Sequence, residues 1–387
     1  MSCYTNKKTI SVLIFLGLTS LLTACSESNT SSQNIEVSET VSANAPLSNP
    51  LGNIVTNTTG QDCDDEAGIQ YLCGVINGED ILQIGNSNWL LVSGMDGSLT
   101  GSSVNGKIHL VDAEAKTAEI IFPDDAAVLQ HDLLMYPDCP GPLDITNFSA
   151  HGLSLQKSDK GPETYRVYMT SHGAREAIEI FEIDAFLKPN IQWVGCIPMP
   201  QSSWTNSVTI LSDGGFLATQ FYNPSQHSIE NVLAGEVTGH VFEWHPGEAV
   251  SIVAGTELAG PNGIAVSLDE RWIFVAAFGT GELVRFDRSS TPVGKEVISL
   301  GILPDNVRWT SEGSLYVAGN NVGESCGEES CEGGWSVIEV IPYNLALNRV
   351  GGVSEGSALH DVSSALLVND EIWVGTYSGD RLAILPR

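Results

Sequence analysis

Three stretches of this chain repeat one phrase. Leu211-Ser212-Asp213-Gly214-Gly215-Phe216-Leu217-Ala218-Thr219, Ser267-Leu268-Asp269-Glu270-Arg271-Trp272-Ile273-Phe274-Val275-Ala276 and Thr310-Ser311-Glu312-Gly313-Ser314-Leu315-Tyr316-Val317-Ala318 each set an acidic turn ahead of an apolar run that ends in small residues. Self-similarity at a period of roughly 50 residues is the mark of a blade of four strands. The rest of the text from residue 61 onward agrees. Short β-branched or aromatic runs alternate with Gly, Asp, Asn and Ser turns, and no long segment carries a helical period. Expected strands are Trp89–Ser93, Lys107–Asp112, Arg166–Thr170, Ile178–Ile183, Gly215–Gln220, Gly239–Trp244, Trp272–Ala276, Glu282–Asp287, Ser314–Ala318, Val337–Ile341, Glu371–Thr376 and Arg381–Leu385. At that period, about 325 residues make six blades. The expectation is an all-β, six-bladed β-propeller over residues 61–387. A large β-sandwich would show similar turns but gives no reason for the repeated phrase.

A second pattern runs through the same region. Glu79 and Asp80 in Gly78-Glu79-Asp80-Ile81, Asn206 in Trp204-Thr205-Asn206-Ser207, Asn262 in Pro261-Asn262-Gly263-Ile264, and Asp305-Asn306 in Leu303-Pro304-Asp305-Asn306-Val307 each stand just before an apolar, strand-like stretch. Asn and Asp at such places commonly cap turns. Their recurrence suggests similar units round one axis, and Glu79, Asn206, Asn262, Asp305 and Asn306 would make a cation cage if their oxygens converged on one point. A cluster of carboxylate and amide oxygens is the donor set of a hard cation such as Ca²⁺, which takes 6–8 oxygen ligands.

Composition narrows the partners. Acidic residues number 47 against 17 basic ones, for a formal net charge of −30. That balance argues against nucleic acid and anionic lipid surfaces as partners, since both are bound through Lys/Arg stripes. The N-terminus reads as a targeting segment over residues 1–24. Lys7 and Lys8 precede an apolar run from Ile10 to Leu22, too short to span a bilayer, and Leu22-Thr23-Ala24-Cys25 closes it. This pattern resembles the bacterial lipobox, which makes Cys25 the lipidated first residue of the mature protein. Ser26, by the sorting rule of enteric bacteria, directs it to the outer membrane, facing periplasm or exterior. Residues 25–60, rich in Ser, Asn and Thr, read as a flexible tether.

Of eight cysteines, Cys3 leaves with the signal and Cys25 takes the lipid. Six remain, which suits an oxidising compartment. Fifteen pairings are open. The most economical joins Cys63 to Cys73, Cys326 to Cys331, and Cys139 to Cys196. No short CxxC or paired-His spacing supports zinc.

Several phrases together resemble the calcium-dependent six-bladed propellers of the paraoxonase/arylesterase family, and more loosely the SMP-30/gluconolactonase and strictosidine-synthase-like propellers. They are Gly78-Glu79-Asp80-Ile81-Leu82, Ala150-His151-Gly152-Leu153-Ser154, Tyr168-Met169-Thr170-Ser171-His172 running into Ile178-Glu179-Ile180-Phe181, Pro261-Asn262-Gly263-Ile264, Pro304-Asp305-Asn306-Val307-Arg308-Trp309, and Ile372-Trp373-Val374-Gly375-Thr376. The resemblance implies a catalytic Ca²⁺ on Glu79, Asn206, Asn262, Asp305 and Asn306, polarising an ester or lactone carbonyl. It also implies a histidine pair, His151 and His172, above the ion, with His151 taking a proton from water. A second, structural Ca²⁺ would use Asp80 and the backbone carbonyl of Leu153. Here the chain departs from the family, placing Ser207 where an Asp would supply another oxygen, which leaves that ion weakened or missing. No cysteine follows Cys331 to join the termini, so closure must rest on strand pairing or on residues 63–75. Residues 323–334 read as an inserted loop over the cavity, the kind of element that sets substrate choice.

No G-x-S-x-G elbow, P-loop or H-E-x-x-H is present. The functional expectation is an exported, lipid-anchored esterase or lactonase acting on a small ester or lactone. Its rivals are a sugar lactonase of the SMP-30 type and a non-catalytic ligand-binding propeller.

Overall fold

Each repeated phrase folds as the same hairpin. Leu211–Gly215 turns the chain from strand Thr205–Ile210 into Phe216–Gln220, Ser267–Arg271 turns Pro261–Val266 into Trp272–Ala277, and Thr310–Ser314 turns Ile302–Trp309 into Leu315–Asn321. The computed structural model describes residues 63–66, 68–97, 105–124, 127–322 and 334–387. The expected signal segment, Cys25, the expected tether to residue 60, Cys326, Cys331 and nearly all of the expected loop 323–334 lie outside the described residues.

These hairpins belong to six antiparallel sheets arranged as a six-bladed propeller. The first blade runs outward from Gly78–Gln83 to Thr117–Phe122, and the second from Phe148–Lys157 to Asn190–Pro198, with a short parallel edge strand at Val128–Leu129. The third starts at Thr205–Ile210, the fourth at Pro261–Val266 and the fifth at Ile302–Trp309. The sixth joins the two ends of the described chain: Val362–Val368, Glu371–Thr376 and Arg381–Pro386 are completed by Gln70–Cys73, which pairs with the last strand in the register Gln70↔Ile384 to Cys73↔Arg381. Closure therefore rests on residues 70–73, and the Cys63–Cys73 disulfide ties that strand to the segment before it. Cys139 pairs with Cys196.

A blade packs both faces against its neighbours, so its inner strands are buried along most of their length. Phe216–Gln220 and Val362–Val368 are buried at every position. Between the second and third blades Tyr168 meets Phe216 edge-on, and Phe216 stacks on Trp244 within the third. The outermost strands are wet: Gly294–Ser299 and Ala346–Val353 bury no residue fully. Helix is confined, among the described residues, to Ile229–Leu233 and the single 3₁₀ turn Phe278–Thr280.

Candidate metal centre

All six innermost strands break register at the same height. The ladder skips between Gly78 and Asp80, Ala150 and Leu153, Thr205 and Val208, Pro261 and Ile264, Pro304 and Val307, and Val362 and Ser364. A bulge leaves its residues unpaired and re-aims their side chains. The residues so released are Glu79, His151, Asn206, Asn262, Asp305, Asn306 and Ser363, with Gly152, Ser207 and Gly263 beside them. The expected ligands thus sit inside the inner strands at bulges, not ahead of them as the sequence suggested.

Their backbones are pinned by hydroxyls of neighbouring blades. Thr170 Oγ1 donates to the Asn206 carbonyl at 2.7 Å, Thr219 Oγ1 to the Asn262 carbonyl at 2.6 Å, and Ser363 Oγ to the Glu79 carbonyl at 2.6 Å. Sequence reading missed these three. The only available signal was a small hydroxyl residue recurring at corresponding places on blades two and three.

The side chains meet. Asn306 Nδ2 donates to Glu79 Oε1 at 2.6 Å, Asn206 Nδ2 faces His151 Nε2 at 3.3 Å, and His151 Nε2 lies 3.6 Å from Glu79 Oε1. The Asn262 side chain favours the charged form of the Asp305 carboxyl beside it. With the amide nitrogens turned to these neighbours, one oxygen is left over on every member of the set. Glu79 Oε2 and the Oδ1 atoms of Asn206, Asn262, Asp305 and Asn306 are all buried without a hydrogen-bond partner. Each of the five residues is at most 5% exposed. A buried acceptor left unsatisfied costs about 1–3 kcal/mol, so five in one cluster cost an amount comparable to a domain's whole stability. A hard cation would satisfy all five at once, and the donor set, two carboxylates and three amides, fits one. Among the described residues no cluster of three or more His, Cys, Asp or Glu forms a metal site; this centre is built largely of amides.

Burial sets the ionisation of the group. It pushes the Glu79 carboxyl up to about 7, against the pull of Asn306 and the Arg308 guanidinium. Burial first and then the Glu79 charge hold Asp305 well above the usual carboxylate range. Burial, reinforced by His172, holds the His151 imidazole well below the ordinary histidine value.

Behind His151 a chain of ring nitrogens leads outward. His151 Nδ1 is 2.9 Å from His172 Nε2, and His172 Nδ1 is 2.7 Å from Glu176 Oε1. The other Glu176 oxygen accepts the Thr205 N–H at 3.3 Å. A carboxylate requires His172 to donate from Nδ1, so its Nε2 accepts from His151 Nδ1. His151 Nε2 is then a lone pair turned towards the ligand cluster. Glu176 escaped the sequence reading because nothing marks its position four residues after His172.

The remaining expected pair, Asp80 and the Leu153 carbonyl, are brought together, but round a side chain and not an open position: the Arg308 guanidinium holds both. Above the cluster lies a cavity of about 360 Å³ in which Glu79, His151, Asn206, Asn262 and Asp305 form the floor and Met95, Trp204, Phe221, Tyr222, Ile229, Phe278 and Tyr377 the walls. Trp204 takes a left-handed backbone, φ 29°, which a bulky residue adopts only under constraint. Its ring packs on Tyr222 at 4.5 Å and edge-on to His172.

A six-bladed propeller whose inner strands aim carboxylate, amide and imidazole groups at one axial point defines a class. Residues 84–326, more than half of the chain, match the arylesterase family model, and the chain belongs to that family. The match takes in His151, His172, Asn206, Asn262, Asp305 and Asn306; Glu79 lies just ahead of it. Strictosidine synthase-like protein 13 of Arabidopsis thaliana is 26% identical over 170 residues, 40% of this chain and 42% of that protein, so less than half of that relative is spanned. A gluconolactonase from Xanthomonas campestris superposes with a TM-score of 0.50 at 17% identity, over 82% of this chain and 89% of that one. A luciferin-regenerating enzyme gives 0.50 at 13% identity, over 82% and 95%. At these identities the two structures speak for the fold.

Proposed function

We propose that this chain is an exported, lipid-anchored hydrolase of the bacterial cell envelope that cleaves esters or lactones at a calcium ion held by Glu79, Asn206, Asn262, Asp305 and Asn306. The observation that carries the reading is the set of five orphaned oxygens at the floor of an aromatic cavity. Calcium bound there would supply Lewis acidity for the substrate carbonyl and its developing negative charge.

The protein's own groups do the rest. His151 Nε2, neutral and aimed at the cavity, accepts a proton from water as the water oxygen bonds to the carbonyl carbon. The proton is returned to the leaving oxygen as its bond to that carbon breaks. His172 and Glu176 hold His151 in the tautomer this needs. Trp204, Tyr222, Phe221 and Phe278 offer apolar surface and keep bulk water from the reacting atoms. That wall supports an aryl or alkyl ester or a lipophilic lactone over a sugar lactone, whose hydroxyls would need polar partners.

The test is hydrolysis of phenyl acetate, an alkyl lactone and a sugar lactone, with calcium and with chelator, by wild type, Asn262→Ala and Asp305→Ala. Calcium-dependent turnover of the first two by wild type alone is expected. Turnover of the sugar lactone only would move the reading to a sugar lactonase. No turnover by three folded proteins would leave a ligand-binding propeller.

A further inference from the structure

Arg308 lies two residues beyond Asn306 on the innermost strand of the fifth blade. Its Nε donates to Asp80 Oδ1 at 2.9 Å, and its Nη2 both to Asp80 Oδ2 and, at 2.7 Å, to the Leu153 carbonyl. Asp80 is on the first blade and Leu153 on the second, opposite the fifth, so the side chain crosses the channel. The Asp80 oxygens are also fed by backbone: Ile81 N–H to Oδ1 at 2.9 Å and Leu153 N–H to Oδ2 at 2.7 Å. Each oxygen of this wholly buried carboxylate thus has two donors. The contrast with its neighbour Glu79, which keeps one oxygen without any, is sharp.

Charge gives the same answer independently. The channel buries three carboxylates, Glu79, Asp80 and Asp305, and holds one guanidinium whose side chain is 13% exposed. Arg308 neutralises Asp80, and the remaining pair matches the charge of one divalent cation. Buried charges persist only when paired. The pair also divides the axis. The inner strands all start at the aromatic end, and a second cavity of about 610 Å³ is lined by their far halves, from Leu82 and Leu155 to Arg308 itself. It shares no lining residue with the cavity above the ligands.

We infer that Arg308 is a built-in cation, holding the place between Asp80 and Leu153 where a second ion would otherwise sit and closing the channel beneath the candidate metal centre. The protein is then a one-ion site, reached from the aromatic mouth alone. The count of one rests on the proposed function; the clamp does not.

Two measurements on the purified protein test it. Calorimetric titration of stripped protein with calcium chloride should show one ion per chain; two would overturn the inference. Thermal unfolding in chelator should then be compared for wild type, Arg308→Met, Asp80→Asn and the double variant. Arg308→Met strands a buried carboxylate and should lower the midpoint by roughly 10 °C. The double variant, with no stranded charge, should recover at least half of that loss. If Arg308→Met fails to fold, a folded double variant supports the pairing. A double variant no better than Arg308→Met, or single-variant losses that simply add, would sink it. No calcium uptake with this recovery intact would remove the proposed metal reading and leave the clamp standing.

Discussion

Gly263 offers a test of the candidate centre that touches no ligand. It follows Asn262 at the bulge of the fourth blade and lies against the inner strand of the fifth. A Cβ added there would stand 2.5 Å from Asn306 Cα, from the Asp305 carbonyl oxygen and from Val307 N. That is about 0.9 Å inside the 3.4 Å at which ordinary contact begins. All three atoms are backbone, so no side chain can rotate away and the two strands must part by nearly that distance. Overpacking of this kind costs about 1–3 kcal/mol, which this fold should survive with a midpoint lowered by several degrees. Calcium–oxygen distances, by contrast, span only about 2.3–2.6 Å. A separation three times that range takes Asn262 or Asp305 out of reach. Gly263→Ala should therefore stay folded while losing calcium affinity and roughly 100-fold in turnover of phenyl acetate. Gly351→Ala is the control, because its added Cβ meets nothing closer than 3.6 Å. Gly152→Ala, 2.6 Å from Ser207 Cα and 2.7 Å from the Asn206 carbonyl, should behave as Gly263→Ala does. If Gly263→Ala bound calcium and turned over like wild type, the five oxygens would not be acting as one set.

The other expectations are brief. His151→Gln should lower hydrolysis about 10²–10⁴-fold with calcium uptake unchanged; unaltered turnover would dispose of the base. Trp204→Ala should raise KM for aryl esters far more than it lowers kcat, and an equal effect on a small alkyl lactone would argue against an aromatic-lined specificity pocket. Burial holds the His109 imidazole down at about 4, against 6.5 when exposed. The unfolded chain therefore takes up a proton the folded one refuses, and stability present above pH 6.5 is lost as pH falls towards 4, by about 3 kcal/mol in all. Urea unfolding of wild type and His109→Gln at pH 7 and 4.5 should show their gap change by about 2–3 kcal/mol, and parallel curves would mean the imidazole is not buried neutral. Cys63→Ser/Cys73→Ser should cost about 3 kcal/mol by loosening the strand that closes the ring; thermal unfolding reads it, and an unchanged midpoint would show that strand pairing alone suffices.

Much of the ring could be read from the text because its hairpins repeat. Leu211–Gly215, Ser267–Arg271 and Thr310–Ser314 are the same turn on successive blades, and the strands after them are apolar on both faces. The outer strands were illegible for the opposite reason. Gly294–Ser299 and Ala346–Val353 bury no residue fully, and nothing in such an edge strand imposes a period of two. The candidate ligand residues were picked by type and placed ahead of the strands, where the structure puts them inside, at the bulges. A polar residue released by a bulge looks, in sequence, like a turn residue before a strand. Arg308 was invisible as a clamp, because between Val307 and Trp309 it reads as a solvent-facing alternate. Its partners, 228 and 155 positions away, are brought near only by closure of the ring.

Those bulges also explain how a repeated fold yields an unrepeated site. Every blade delivers a side chain to the same height by the same backbone irregularity, so position is supplied by the repeat and chemistry by the residue that fills it. The first, third, fourth and fifth blades place oxygens there, and the second places an imidazole. The sixth places only Ser363, whose hydroxyl is spent on the Glu79 carbonyl. One polar residue per blade would surround an ion evenly. Giving the second blade a base and the sixth a plain hydroxyl leaves three neighbouring blades of oxygens and Glu79 between two gaps, with His151 Nε2 on the gap between Glu79 and Asn206. An incomplete ring of this kind suits an ion that must keep room for a substrate oxygen, with a proton acceptor next to it.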